Sequence, residues 1–417
     1  MSPVVPVLAR ARRLRTRAVV TSTVPSRVDA AVLARAFRAA PRRPLTHLVL
    51  AAPGSGNIGD QALTEALLEN TDGPATLVLT GAGAPGLPAE LAARVTPLAL
   101  PELVYGTGPA HREDVAALGR ALAGAAHLSV IGADVMDGRY SLPASVRRSS
   151  LAATASRLGV DTRVVGFSWS DRARTAARRS LADAGAAGVR LLLRDPVSAE
   201  RARRDGIGPV EETADVVFAA RTTDPSAADR LLAGVTAPVA LVNVSGLIGG
   251  RLDQTAEYAT VVEALRERGL HVLLVPHVAR PGTDDVAACT AVAERVGAPV
   301  VPDLLTPAQV RGLTARATVT VTGRMHLAVM SLLHGVPAVT LATQGKVEGL
   351  MRLVGVPELC VEPGPGMGDA VVGVLDRVLP AGSPARAAVR AALPGVVALA
   401  RRNVEGLAAP VPAGRAA

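Results

Sequence analysis

Arg324 and His326 stand two residues apart in Thr322-Gly323-Arg324-Met325-His326. In an extended segment such residues point the same way, so both side chains can converge on one small anion. A guanidinium fork makes charge-assisted, bidentate bonds to carboxylate or phosphate, and an imidazole beside it can give or take a proton. Twenty residues beyond His326 lies Lys346, the only lysine among 45 lysines and arginines. An ammonium retained where every other cation is an arginine marks a position that suits a compact point charge better than a planar fork. Arg324, His326 and Lys346 are therefore expected to clasp one anionic substrate, with Arg324 and His326 as catalytic residues. A helix N-terminus disfavours the imidazolium and a bound multiply charged anion favours it, so His326 is expected to hold a proton only when the site is filled. His277, after Pro276, also ends an apolar run and is a further substrate contact; His271 and His334 read as structural.

The first half offers a second set. Gly54, Gly56 and Gly59 surround Asn57 and precede Asp60 at the end of an apolar run. Such glycines let the backbone turn tightly and approach a ligand, and the free amides of the following helix favour an anion. Asp60 is either a proton acceptor or an N-cap, while Asn57 has less structural reason to be there. After Gly132 come Asp134 and Asp137, which could grip a hydroxyl and remove its proton or cap the next turn. Arg194 ends another apolar run, where open parallel sheets bind ligands, and a fold-supporting ion pair is its competing reading.

The elements that must position these residues are βα units. Apolar runs at 47–52, 75–80, 95–100, 126–131, 162–167 and 189–194 alternate with helical patterns at 60–70, 112–123, 145–158 and 171–185. A second series follows, with strands at 238–244, 271–275, 299–301, 317–321 and 337–341 and helices at 253–268, 284–296, 306–315, 325–334 and 346–354. This alternation predicts an α/β protein of two doubly wound, Rossmann-like domains facing a cleft. The expected boundaries are a basic arm over 1–43, a first domain over 44–220, a crossing over 221–237, a second domain over 238–362, and a linker with terminal helices over 363–417.

Composition narrows the partners. Aromatics are only 2% of the 417 residues, which leaves little stacking surface for nucleobases and argues against a single-stranded nucleic-acid binder. Any sugar must then be held mainly by polar contacts. The net charge of +9 resides in residues 1–43, where ten arginines face one acid, Asp29. That arm either touches anionic lipid headgroups, each cation there contributing about 1 kcal/mol, or is a solvated leader. No apolar stretch suits a signal or a membrane span, and Cys289 and Cys360 lack metal spacing. A cytoplasmic protein, with peripheral contact at the inner face of a membrane, is expected.

Taken in order, Gly56-Asn57-Ile58-Gly59-Asp60, the Gly132 turn, Arg194-Asp195 with Ser198, Asp215, Pro276-His277, Gly323-Arg324-Met325-His326, Gly335-Val336-Pro337 and Lys346 resemble the polysaccharide pyruvyl transferase family. The resemblance spans roughly 46–360 and implies a GT-B-like fold. It also implies transfer of the enolpyruvyl unit of phosphoenolpyruvate to two hydroxyls of a glycan or lipid-linked sugar as a cyclic ketal, with no metal or organic cofactor. By that resemblance Arg324 and His326 match positions implicated in phosphoenolpyruvate binding and acid catalysis. Ala133 and Asp134 depart from the family's glycine-rich turn, and no aromatic precedes Lys346. The rival functions are a sugar-nucleotide glycosyltransferase of the same architecture, whose paired acids Glu348 and Glu358 do not match in spacing, and a catalytically silent glycan-binding protein.

Overall fold

The computed structural model describes residues 23–41, 46–52, 56–81, 86–248, 253–342 and 346–407. Apolar runs rich in Val and Leu become parallel strands covered on both faces by helices. The first sheet contains β1 (Thr46–Leu50), β2 (Ala75–Leu79), β3 (Val95–Ala99), β4 (Ala125–Ile131), β5 (Asp161–Phe167), β6 (Arg190–Leu193) and β7 (Val210–Glu212) in the order 3-2-1-4-5-6-7. Pro97 lies in β3, at the sheet edge, where a missing N–H breaks no inner ladder. The second sheet contains β8 (Val239–Asn243), β9 (His271–Leu274), β10 (Ala317–Thr322), β11 (Ala338–Leu341) and β12 (Cys360–Val361) in the order 12-11-10-8-9.

Each order reverses once, between β1 and β4 in the first sheet and between β8 and β10 in the second. Connections leave the two flanking strands in opposite directions there, opening a crevice at their carboxyl ends. The segments at those ends are the ones singled out by chemistry: 56–60 after β1, 132–137 after β4, and 323–326 after β10.

The halves are stitched together through backbone. Ile58 donates to the carbonyl of His277 at 3.2 Å, Ala279 donates to that of Gly56 at 2.9 Å, and Asn57 and Val278 form an antiparallel bridge. Helix Pro384–Arg401 belongs to the second half in sequence, yet the turn after it returns to the first sheet. There Asn403 accepts from Gly166 N at 3.1 Å and donates to Ala214 O at 2.8 Å, and Arg163 donates to Glu405 O at 2.8 Å.

Two expectations change. Residues 23–39 of the supposed basic arm form a helix whose Leu33 is buried against helix Gly108–Leu122 and whose Asp29 bonds His111 at 3.0 Å. Residues 1–22, and any lipid contact they make, lie outside the described residues. The run at 299–301 makes one bridge, Val300 to Leu274, because Pro299 and Pro302 leave little chain for a ladder. Strands β7 and β12, three and two residues long, were too short to show a period. Among the described residues no helix is long and apolar enough to cross a membrane, and no cluster of His, Cys, Asp and Glu could hold a metal ion.

Candidate active site

A cavity of about 370 Å³ opens between the two sheets, lined by Asn57, Asp60, Asp134, His277, Arg324, His326 and Lys346 among others. Sequence reasoning named every one of these. It did not foresee how thoroughly the cations are already paired.

Arg324 precedes helix Met325–Leu333, its N–H held by Thr322 Oγ1 at 2.9 Å. Its fork grips a carboxylate of the protein itself: Nε lies 3.0 Å from Asp285 Oδ2, and Nη2 donates to Asp285 and, at 2.8 Å, to the carbonyl of Thr283. Asp285 is fully buried and also accepts from Asn243, Gly246, His277 and Val278. The fork expected to meet a ligand thus holds Asp285 through Nε and Nη2. Nη1 takes no part in these bonds.

His326 occupies the second residue of the same helix. Its Nε2 lies 3.3 Å from Asp215 Oδ2 and 3.5 Å from Arg194 Nη1. Arg194, only 1% exposed, donates to Asp215 at 2.9 Å and to Ser168 Oγ at 2.8 Å. Arg194 thus makes the ion pair of its competing reading, with Asp215 as the partner. Burial alone would raise the Asp215 carboxyl, but His326 and Arg194 outweigh it and hold the group down at about 2. Asp215 thus presents a carboxylate to the His326 ring. Asp195 and Ser198 serve the fold: Asp195 caps helix Pro196–Arg204 through Ser198 N at 2.7 Å.

Lys346 opens helix Lys346–Val354 and pairs with Asp134 across the cleft, its Nζ 5.9 Å from the centre of the Tyr140 ring. Burial pushes Asp134 up, yet Lys346 and Arg194 overcome it and leave the carboxyl below its ordinary range. Asp60 has the opposite balance. Burial dominates, its pairing with Arg280 at 2.9 Å compensates only in part, and its carboxyl is raised. The two candidate proton acceptors are thus unequal, Asp60 being the stronger base. His277 is buried with neither ring nitrogen hydrogen-bonded to the described residues, and burial, then His326 and Arg324, keep it well below the imidazole range. Asp137 lines a smaller neighbouring pocket of about 110 Å³, which shares Asp134, Tyr140 and Lys346 with the first.

The glycines make close contacts within the protein. Asn57, rather than Asp60, caps helix Ile58–Glu69, accepting from Gly59 N at 2.9 Å. Gly56, at φ +79°, lies under the carbonyl of Ala279, which a Cβ would approach to 2.7 Å. A Cβ on Gly59 would overlap the His326 imidazole. Gly132 packs against Phe167, where a Cβ would come within 2.6 Å. All three keep backbone or side chains in close approach within the protein, and Gly54 lies outside the described residues. Sequence reasoning missed Asp285, Arg280, Tyr105 and Tyr140. Arg280 follows His277 by three residues, and the tyrosines were signalled only by the rarity of aromatics.

A family profile described as polysaccharide pyruvyl transferase matches residues 99–345. No curated protein matches the chain in sequence. In structure it is similar to a UDP-glucosyltransferase from Polygonum tinctorium (14% identity, 88% of this chain and 98% of the other, TM-score 0.53). It is also similar to a putative UDP-N-acetylglucosamine 2-epimerase from Listeria monocytogenes (10% identity, 86% and 94%, TM-score 0.55). An Anabaena protein solved with UDP and glucose is likewise similar (16% identity, 87% and 99%, TM-score 0.53). At these identities the likeness is one of fold, and the fold is GT-B-like.

Proposed function

The chain belongs to the polysaccharide pyruvyl transferase family, and from that premise we propose that it transfers the enolpyruvyl unit of phosphoenolpyruvate to two hydroxyls of a glycan sugar as a cyclic ketal, releasing phosphate. The observation that carries the reading is His326, held against buried Asp215 and Arg194 in a cavity that also receives Arg280, Arg324 and Lys346. Such a cavity supplies a proton and several cations within reach of one small trianion.

The atoms balance without a cofactor. His326 protonates the methylene carbon of the enol phosphate, leaving an oxocarbenium-like centre that the first sugar hydroxyl attacks. Asp60, its carboxyl raised by burial, takes that hydroxyl's proton. The C–O bond to phosphate then breaks, assisted by the cations, and the second hydroxyl closes the ring. One hydroxyl proton replaces the proton spent on carbon, and the other leaves with phosphate. Asp134, below its ordinary range, suits the role of counterion to Lys346.

The test is phosphate release from phosphoenolpyruvate in the presence of lipid-linked and free glycans, with UDP-sugars as the competing donor. His326→Ala is expected to lower kcat by about 10²–10⁴-fold. Turnover of a UDP-sugar alone would instead establish a glycosyltransferase, and full pyruvylation by His326→Ala would remove His326 from the acid role.

A further inference from the structure

The chain contains seven aromatic residues. Phe167, Trp169, Phe218 and Tyr258 are buried and Phe37 is half-buried. Only Tyr105 and Tyr140 are exposed, at 42% and 50%, and both line the 370 Å³ cavity. The core is built from Ala, Val and Leu, so packing does not account for two aromatic rings facing water at one opening.

We propose that Tyr105 and Tyr140 form the platform on which the acceptor sugar rests, a proposal that takes pyruvyl transfer to a glycan as its starting point. The cavity walls differ in kind. The second half contributes Arg280, Arg324 and Lys346, suited to an anion, and the first half contributes Tyr105, Val135 and Tyr140. A pyranose presents an apolar C–H face and a hydroxyl rim, so it lays that face on a rigid ring and turns its rim toward polar groups. Asp60 and Asp134 line the same space, ready for that rim. The 5.9 Å between Lys346 Nζ and the Tyr140 ring joins the two walls, bringing a sugar on Tyr140 next to the anion held by Lys346. The mainly polar contacts expected from composition are thus supplemented by the two exposed rings.

Saturation-transfer NMR of the whole protein with methyl glycosides of glucose, galactose and mannose, and separately with UDP, tests the assignment. The wild type is expected to saturate ring protons of at least one sugar. The Tyr105→Ala, Tyr140→Ala double variant should lose this, and the Tyr→Phe double variant should keep it. In steady-state transfer Tyr105→Ala should raise the acceptor KM roughly tenfold and leave that for phosphoenolpyruvate unchanged. Sugar signals that survive in the double alanine variant, signals from UDP but from no sugar, or an equal rise in both KM values would overturn the platform. Tyrosine-dependent sugar binding without any phosphate release would uphold it and overturn pyruvyl transfer instead.

Discussion

Where Gly59 would carry a side chain, the His326 imidazole already stands. A Cβ there overlaps Nδ1 and Cγ of a ring packed against Asp215 and Arg194, and overpacking of this kind costs about 1–3 kcal/mol, so Gly59→Ala should lower the melting temperature. The displaced imidazole should also cost on the order of 10²-fold in kcat, which parallel melting and rate measurements would reveal. The two cleft acids should also behave differently. Asp60→Asn removes the carboxyl that burial has made basic and should lower kcat. Asp134→Asn releases Lys346 and should lower the KM for phosphoenolpyruvate. The spacing of Arg324 and His326 revealed that they share a site, because two-residue periodicity is local. That Arg324 would spend its fork on Asp285, 39 residues earlier, was not legible, since only the folded chain brings the two within 3.0 Å.

Strand and helix positions were legible because a strand buried on both faces must be a continuous apolar run, and glycine or proline marks its ends. The long strands β4 and β5 were found almost to the residue, whereas β7 and β12 carry too few side chains to announce themselves. Helix Ile58–Glu69 carries a prediction of its own. Glu65, fully buried beside Arg311 at 3.6 Å, is pushed up to about 7 by burial, with Gln61 and Arg311 opposing and Glu69 adding to the rise. A carboxyl raised in the native state binds its proton more tightly there than in the unfolded chain. Ionising it therefore costs stability, which should fall as pH rises from about 4.5 to about 7. Glu65→Gln should flatten that slope by ~1–3 kcal/mol, measured by denaturant melts between about pH 5 and pH 8.

At the scale of the whole molecule, the halves meet through opposite charges, Lys346 with Asp134, Arg280 with Asp60, and Arg311 with Glu65 and Glu69, and through the contact of the His326 ring with Asp215. At the cleft the second half supplies the cations of the first two pairs and the first half the acids. An anionic ligand must compete with Asp60 and Asp134 for these partners. Saturating phosphate should still raise stability, by about 2.7 kcal/mol at a hundredfold excess over Kd, and Lys346→Ala should diminish the shift in a thermal melt.

The anchoring of Asn403 onto Gly166 and Ala214 sets an order of events for a chain emerging from the ribosome. The amino-terminal sheet is synthesised well before the turn that staples it, which follows Gly166 by 237 residues and Ala214 by 189. Until then the Gly166 amide and the Ala214 carbonyl wait without that amide side chain, and a nascent chain stalled after residue 383 should be more readily proteolysed in its early half than the finished protein.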